Sequence, residues 1–145
     1  MADGFDLSEL SRRLENLLRL GTIAQLDEAA ARVRVKSGDL LTGWVPWLTR
    51  RAGPDSDWWA PEPGEQVLLL CPSGDPALGV VLPALYQAAH PAPGNVKTKR
   101  VVEFADGMKA TYDREAKKLT IDCPGEIEIT CAGNFRVTAP RIDLN

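Results

Sequence analysis

The last third of this 145-residue chain repeats with a step of eight residues. Written in rows of eight, it has three apolar columns: Leu119, Ile127 and Phe135; Ile121, Ile129 and Val137; and Cys123, Cys131 and Ala139. Gly125 and Gly133 form a fourth column, and after Pro140 the alternation resumes at Ile142 and Leu144, shifted by one residue. Each row therefore alternates apolar and polar residues and then turns, which predicts short strands with one apolar face.

Strands this short leave their apolar face uncovered within one chain. A meander packed against the rest of the protein is the ordinary explanation, but a meander needs no fixed step. A β-solenoid made from one chain uses about 20 or more residues per coil, so a step of eight is too short to wind around its own core. Three copies wound around a common axis would bury the face, each forming one wall of a triangular prism.

The pattern therefore predicts a homotrimeric, rod-like β-helix, and it indicates oligomerisation more directly than the number three. Charged and polar residues at the alternate positions would face the solvent. The residues expected at the trimer axis are Leu119, Ile121, Cys123, Ile127, Ile129, Cys131, Phe135, Val137, Ile142 and Leu144.

A short amphipathic helix is predicted at the N-terminus, over residues 1–20. Asp6 is its predicted N-cap, with Glu9 three residues later in the pattern of a capping box. Gly21 follows as a stop signal. The apolar stripe of the helix comprises Leu10, Leu14, Leu17 and Leu18. Because an isolated helix of this length is marginal in water, the stripe has to pack against the next domain or against a partner chain. The sequence leaves both possibilities open.

Short strands separated by turns follow the helix. They are predicted at residues 22–26, 31–35, 41–49, 66–70 and 79–86. Pro46 suggests an edge or a bulge in the third strand. The last two strands are nearly all apolar, as strands buried on both sides would be. Five short strands in this span predict a small antiparallel barrel, whose closure removes the exposed sheet edges.

A linker rich in alanine and proline is predicted over residues 88–97, and it contains the only histidine of the chain, His90. A lone histidine in such a segment is expected to be solvated. Each of the three cysteines, Cys71, Cys123 and Cys131, ends an apolar run, and none belongs to a CxxC pair. The sequence therefore predicts free thiols and no metal site.

Composition excludes several classes of protein. The 17 basic and 20 acidic residues leave a net charge of -3, which argues against a strongly basic nucleic-acid binder. A hydrophobic content of 44% argues against disorder. The chain has no apolar run of about 18 residues, so no membrane-spanning helix is predicted. Its first residues lack a basic segment, so no signal peptide is expected.

The tryptophans suggest an alternative function, because small barrels bind oligosaccharides or single-stranded nucleic acids through aromatic side chains. The competing explanation is that Trp44 and Trp47 pack in the barrel or at a subunit interface, while Trp58 and Trp59 cap a loop. The basic residues near them are few: Arg32, Arg34, Lys36, Arg50 and Arg51. Together with the negative net charge, this scarcity favours packing over nucleic-acid binding.

An enzyme is not predicted. Histidine, the side chain on which much acid–base chemistry depends, occurs once in the chain. A wall-degrading domain would need paired carboxylates in a cleft and on the order of a hundred further residues. Asp55, Glu62 and Glu65 lie in or beside the long loop over residues 51–64, where scattered acids are expected to be solvated.

Several stretches of the chain in combination resemble the baseplate assembly protein V family, the central spikes of contractile phage tails and tail-like bacteriocins. They include Val33-Arg34-Val35-Lys36-Ser37-Gly38-Asp39-Leu40-Leu41-Thr42, Trp44-Val45-Pro46-Trp47-Leu48 and Gly64-Glu65-Gln66-Val67-Leu68-Leu69-Leu70, of which Ser37-Gly38-Asp39-Leu40-Leu41 and Gly64-Glu65-Gln66-Val67 are specific in combination. Gly21-Thr22-Ile23-Ala24, Ser73-Gly74-Asp75, Gly79-Val80-Val81-Leu82-Pro83 and Phe104-Ala105-Asp106-Gly107 add to the resemblance. It covers nearly the whole chain.

The resemblance implies an all-β protein with a short N-terminal helix (1–20), an oligonucleotide/oligosaccharide-binding (OB) barrel (21–87), a linker (88–97) and an intertwined trimeric β-helix shaft (98–145). It further implies a virion or tail-like particle assembled in the host cytoplasm. There the leucine helix would dock the baseplate hub protein, and the spike would pierce the outer membrane of the target cell on sheath contraction.

One family feature does not match. Members of the family end in a tip that binds iron through a His-x-His pair, and this sequence has no such pair. The tip is therefore expected to be missing, either because it was removed or because the spike is blunt. No metal ligand is carried over.

Overall fold

The computed structural model describes residues 3–144, with side chains of the first helix described from Asp6 onward. Its elements are α1 (Asp3–Asn16), β1 (Leu18–Asp27), β2 (Arg32–Ser37), β3 (Leu40–Leu41), β4 (Gln66–Leu70), β5 (Val80–Leu85), β6 (Lys99–Glu103), β7 (Lys109–Asp113) and β8 (Lys118–Asp122). Over these residues the protein is mostly β with a single α-helix, which confirms the predicted class. The chain forms two compact units, one ending at Pro91 and one beginning at Ala92. The finer division into four segments stays a prediction.

Strands β1 to β5 form one antiparallel sheet in the order β3-β2-β1-β4-β5. The segment after β3 joins the two edges of this sheet. Val33 and Val45 exchange two backbone hydrogen bonds of 2.9 Å. Val81 donates to the carbonyl oxygen of Pro46 at 2.9 Å, and its own carbonyl oxygen accepts from Leu48 at 2.8 Å. These bonds close the sheet into the predicted barrel.

The third strand was predicted over residues 41–49, and this prediction is wrong in extent. Regular pairing in β3 covers only Leu40 and Leu41, and the remaining contacts are isolated bridges at Val45 and Trp47. Pro46 between them has no backbone N–H, so a continuous ladder cannot run through this position.

The inward faces of the strands fill the barrel. The buried apolar residues are Ile23, Val33, Val35, Val45, Val67, Leu69, Cys71 and Val81. Thr42 is buried with them, and its hydroxyl accepts from Val35 N at 2.9 Å and donates to Gly43 O at 2.7 Å. The polar group therefore enters the core without losing its hydrogen bonds.

Burial of β4 and β5 on both sides, as their composition predicted, is found on one side only. Val67, Leu69 and Val81 point inward and are fully buried, whereas Leu82 on the outer side is 42% exposed. Leu68, the neighbour of Leu82 on β4, is half-buried. The barrel has only one interior, so the apolar residues on the outer faces have no layer of this unit to cover them.

The helix ends earlier than predicted. Leu18 begins β1 and pairs with Leu70, because the β1–β4 ladder takes up the last three residues of the predicted helix, Leu18 to Leu20, as paired backbone. Leu17 and Leu18 therefore do not lie on α1. The capping box is also wrong: Asp6 lies inside the helix, and Glu9 instead bonds Arg12 and Arg13 at 2.7–2.9 Å. Because α1 already begins at Asp3, Asp6 cannot cap it, and Glu9 stabilises the helix through these pairs one turn apart.

The C-terminal end of α1 packs closely on the barrel at Gly74. A Cβ atom at this glycine would lie 2.5 Å from the carbonyl oxygen of Arg13. Gly74 also has a φ of 72°, in the left-handed region. Beside this contact, Cys71 N donates to Leu17 O at 2.8 Å. A residue without a side chain is thus required for the helix to approach its barrel.

The second unit begins with the antiparallel meander β6-β7-β8. The turn between β7 and β8 is held by Asp113, whose carboxylate accepts from Ala116 N and Glu115 N at 3.2 and 3.0 Å. These hydrogen bonds hold the pKa of Asp113 below its ordinary value. From residue 123 to residue 144 no strand pairing is present within the described chain.

The Gly74 contact predicts an effect of substitution on stability. Gly38→Ala is the matched control, since Gly38 has a φ of 59° and nothing within 4 Å of its Cβ position. The control should cost about 1–2 kcal/mol from left-handed strain. Gly74→Ala should cost about 1–3 kcal/mol more, because Arg13 has to move. Denaturant unfolding followed by tryptophan fluorescence measures both, and equal losses would contradict the close contact.

The Arg12 and Arg13 pairs lower the pKa of Glu9 from its ordinary 4.5 to about 2. A lowered carboxyl pKa stabilises the folded helix above pH 4.5, and this contribution is lost as the pH falls toward 2. An NMR titration of the Glu9 carboxyl measures the shift, which should disappear when both arginines are replaced by alanine. A midpoint that stays low without the arginines would show another cause.

Candidate functional site

The apolar columns of the eight-residue repeat lie uncovered in the single chain. Ile127, Ile129 and Phe135 expose 62, 66 and 65% of their surface, and Leu119 on β8 exposes 64%. Exposed side chains also include Ile121, Val137, Ile142 and Leu144, while Cys123 is half-buried and Cys131 exposed. A run of exposed apolar residues with a regular step is typical of a surface that another chain covers.

The polar residues of the repeat bond to one another along their own face. Thr130 donates to Glu128 at 3.2 Å, and Arg141 pairs with Asp143 at 2.7 Å. Residues two apart lie on the same side of an extended chain, so these pairs define a polar side opposite the apolar columns. The chain thus separates a solvated face from an apolar one.

The predicted leucine stripe of the N-terminus continues from α1 into β1. Leu10 and Leu14 on the helix are 53 and 58% exposed, and Leu18 at the start of β1 is 61% exposed. Leu14, Leu17 and Leu18 line a cavity of about 450 Å³ together with Leu70, Cys71 and Pro72. The structure therefore brings three of the four predicted leucines to this cavity, of which only Leu14 lies on the helix, while Leu10 is exposed on α1.

Leu7 belongs to the same surface and was missed by the sequence analysis. It is 66% exposed and lies three residues before Leu10. The spacing at positions 7, 10 and 14 is the signal that could have found it.

Arg19 fixes the junction between the helix and the barrel. Its guanidinium donates to the Ser37 hydroxyl at 3.2 Å and to the Ser37 carbonyl oxygen at 3.3 Å, and it bonds the side chain of Asn16 at the end of α1. Ser37 itself is buried and donates to Leu20 O at 2.7 Å. A hydrogen-bonded network therefore fixes how the end of α1, with its leucine stripe, is oriented on the barrel.

The aromatic residues of the long loop flank a groove of about 590 Å³ on the first unit. The groove is lined by Leu48, Trp59, Pro61, Leu82 and Tyr86 and by the charged residues Arg50, Asp57 and Glu65. Trp47 packs against the barrel core and meets Trp58 edge-on, with ring centroids 5.6 Å apart. A groove that holds two acids and one base does not favour a polyanion.

Two of the predicted basic residues are already engaged within the chain. Arg34 donates to Thr42 O at 2.8 Å and to the Gln25 side chain at 3.1 Å, with its guanidinium 6.0 Å from the Trp44 ring. Arg51 pairs with Asp55 at 3.2 Å. These two arginines therefore stabilise contacts within the first unit.

Neither a cluster of metal-ligating side chains nor a membrane-spanning helix is found among the described residues. No group of three or more His, Cys, Asp and Glu residues in this part of the chain is arranged to hold a metal ion. Burial raises the pKa of the Cys71 thiol. No helix between residues 3 and 144 is long and apolar enough to cross a membrane.

Comparison with known proteins agrees with this arrangement. Residues 19–86, which run from β1 to the end of β5, match the family described as the type VI secretion system/phage-baseplate injector OB domain. Over 135 residues, 93% of this chain, the sequence is 37% identical to the spike protein of Escherichia phage P2. The match spans 64% of that spike protein, less than two thirds of its length. The resemblance seen in the sequence is confirmed: the barrel matches the phage-baseplate injector OB domain, and most of the chain is similar to a phage spike protein.

Proposed function

We propose that this protein is the central spike of a contractile tail, a homotrimer whose C-terminal shaft is an intertwined β-helix. The match of the barrel to a phage-baseplate injector OB domain and the 37% identity to a phage spike protein support a structural role in such a particle. The observation that carries the proposal is the uncovered apolar face of the eight-residue repeat. A short ribbon of strands from one chain cannot bury this face by itself.

The proposed shaft acts as a passive mechanical part. Sheath contraction supplies the force, and the shaft transmits it to a small area of the outer membrane of the target cell. This work requires stiffness, which continuous backbone hydrogen bonds between chains and a close-packed axis would supply. The columns through Leu119 and Ile121 would form that axis. The spike has no enzymatic activity and needs no cofactor for this role.

The N-terminal leucines supply the proposed attachment to the baseplate hub protein. Leu10 and Leu14 are exposed on α1, and Leu17 and Leu18 continue their surface beside the apolar cavity. Because the Arg19 network holds this surface in one direction, a partner would meet a preformed face rather than a mobile helix. The protein would reside in the virion or tail-like particle and bind no nucleic acid.

The trimer is tested by placing a charge on the apolar face. Ile129→Asp would bring three carboxylates to the axis, where unpaired charge is costly to bury, and assembly should be lost. Thr130→Asp is the matched control, because it puts the same residue one position away on the polar face. Size-exclusion chromatography with light scattering should give three times the chain mass for the native protein and the control. A native chain of monomer mass would refute the proposal.

The thiols provide a second test in the unaltered chain. Cys131 is exposed in the single chain, and Cys71 is buried inside the barrel. Assembly should protect Cys131 from a maleimide reagent, and Ile129→Asp should expose it, while Cys71 stays protected in both. Mass spectrometry of the labelled peptides gives each rate separately. Rapid labelling of Cys131 in a chain that remains trimeric would contradict its place at the axis.

A further inference from the structure

The groove beside the long loop combines exposed aromatic rings with charged side chains of both signs. Trp59 and Tyr86 on its walls are 58 and 74% exposed. Arg50, Asp57 and Glu65 line the same groove. Its volume of about 590 Å³ lies within the roughly 300–1,000 Å³ that is usual for small-molecule sites. We call it the Trp59 groove.

Hydrogen bonds hold the loop side of the Trp59 groove in place. The Thr49 hydroxyl donates to the carbonyl oxygen of Asp57 at 3.2 Å, and Asp57 N donates to Arg51 O at 3.0 Å. The Glu65 carboxylate accepts from Glu62 N at 3.0 Å. A ligand would therefore meet a preformed wall, and binding would cost little conformational entropy of the loop.

Two charged groups of the groove keep their hydrogen-bonding capacity. Among the described residues, neither the Arg50 guanidinium nor the Asp57 carboxylate has a hydrogen-bond or ion-pair partner. A guanidinium only donates hydrogen bonds and an ionised carboxylate only accepts them, whereas a hydroxyl does both. A ligand that carries several hydroxyl groups can therefore satisfy both side chains at once.

The composition of the groove disfavours other classes of ligand. Two acids against one base disfavour a polyanion such as a nucleic acid. A purely apolar ligand would remove water from the three charged groups without pairing them, which is costly. A sugar ring has hydroxyl groups at its edge and C–H groups on its faces, and a C–H face can pack on the apolar body of an indole.

We infer that the Trp59 groove binds a neutral oligosaccharide, with one pyranose ring packed on Trp59 and its hydroxyl groups bonded to Asp57 and Arg50. OB folds in general bind ligands on the face of strands 2 and 3 and on the loops between strands 1 and 2 and between strands 4 and 5. The Trp59 groove is instead lined by the segment after β3, the long loop and β5. This inference is independent of the proposed trimer.

Saturation-transfer NMR on the whole chain, with maltotriose, cellotriose and N-acetylchitotriose as probes, tests the site. At least one of these sugars should bind with a Kd on the order of a millimolar, because an open groove covers only part of the ligand. Trp59→Ala should weaken this binding by about tenfold, through loss of the stacking ring. Trp44→Ala is the matched control, because Trp44 is 50% exposed outside the groove, and it should leave the Kd unchanged.

The hydrogen-bonding half of the site is tested separately. Asp57→Ala removes a carboxylate that no described residue uses, so the fold should be kept and binding should weaken by about fivefold. Asp55→Ala, in the same loop but outside the groove, is its control and should bind the sugar like the native chain.

Each contrary result has a defined meaning. Absence of transfer to all three sugars would overturn the inference, and so would equal binding by the native chain and Trp59→Ala. Tighter binding of a short oligothymidylate than of any sugar would assign the groove to a polyanion and overturn it as well. Binding by Ile129→Asp but not by a native trimer would show that assembly covers the groove, which would also refute it. Light scattering on the same samples gives the chain mass, so the groove and the proposed spike succeed or fail separately.

Discussion

The hydrogen bonds on either side of Pro46 are the contacts on which the first unit depends. Through them Val33 and Val81, on opposite edges of the sheet, are joined by the segment at residues 45–48. Closure gives the barrel one interior, and the inward valines and leucines fill it. Leu26 and Trp47 pack against this core, and the apolar side chains on the other side of β1, β4 and β5 are left facing outward. The uncovered leucines of β1, β4 and β5 follow directly from this saturation of the core.

The same reasoning connects the two units of the chain. The eight-residue repeat has an apolar face that a short ribbon cannot bury, and the barrel has apolar residues on the outer side of β1, β4 and β5 that its own core does not use. Assembly of three copies around the proposed shaft axis would bury the first of these faces. The polar faces, with pairs such as Arg141 and Asp143, would remain in water.

Much of the fold could be predicted from local patterns, and the errors share one cause. Alternation located β2 closely, and apolar runs bounded by turns located β4 and β5, because these patterns depend on the strand alone. The predicted end of α1 was wrong, because leucine is favourable in a helix and only the pairing of Leu18 with Leu70 on β4 places it in a strand. The predicted capping box at Asp6 was wrong for a similar reason, because the Glu9 carboxylate accepts hydrogen bonds from Arg12 and Arg13 along the helix. Competing contacts decided each of these boundaries.

The sequence by itself determined which residues are apolar and at what period, and hence the barrel, the repeat and the resemblance to the baseplate spike family. It also indicated that the repeat needs sister chains, because an uncovered apolar face with a fixed step is visible without coordinates. Only the tertiary structure decided that Leu18, Leu20, Leu68, Leu70, Val80 and Leu82 form one surface. Strand register across β1, β4 and β5 places them side by side, and register is a property of paired strands rather than of any one strand.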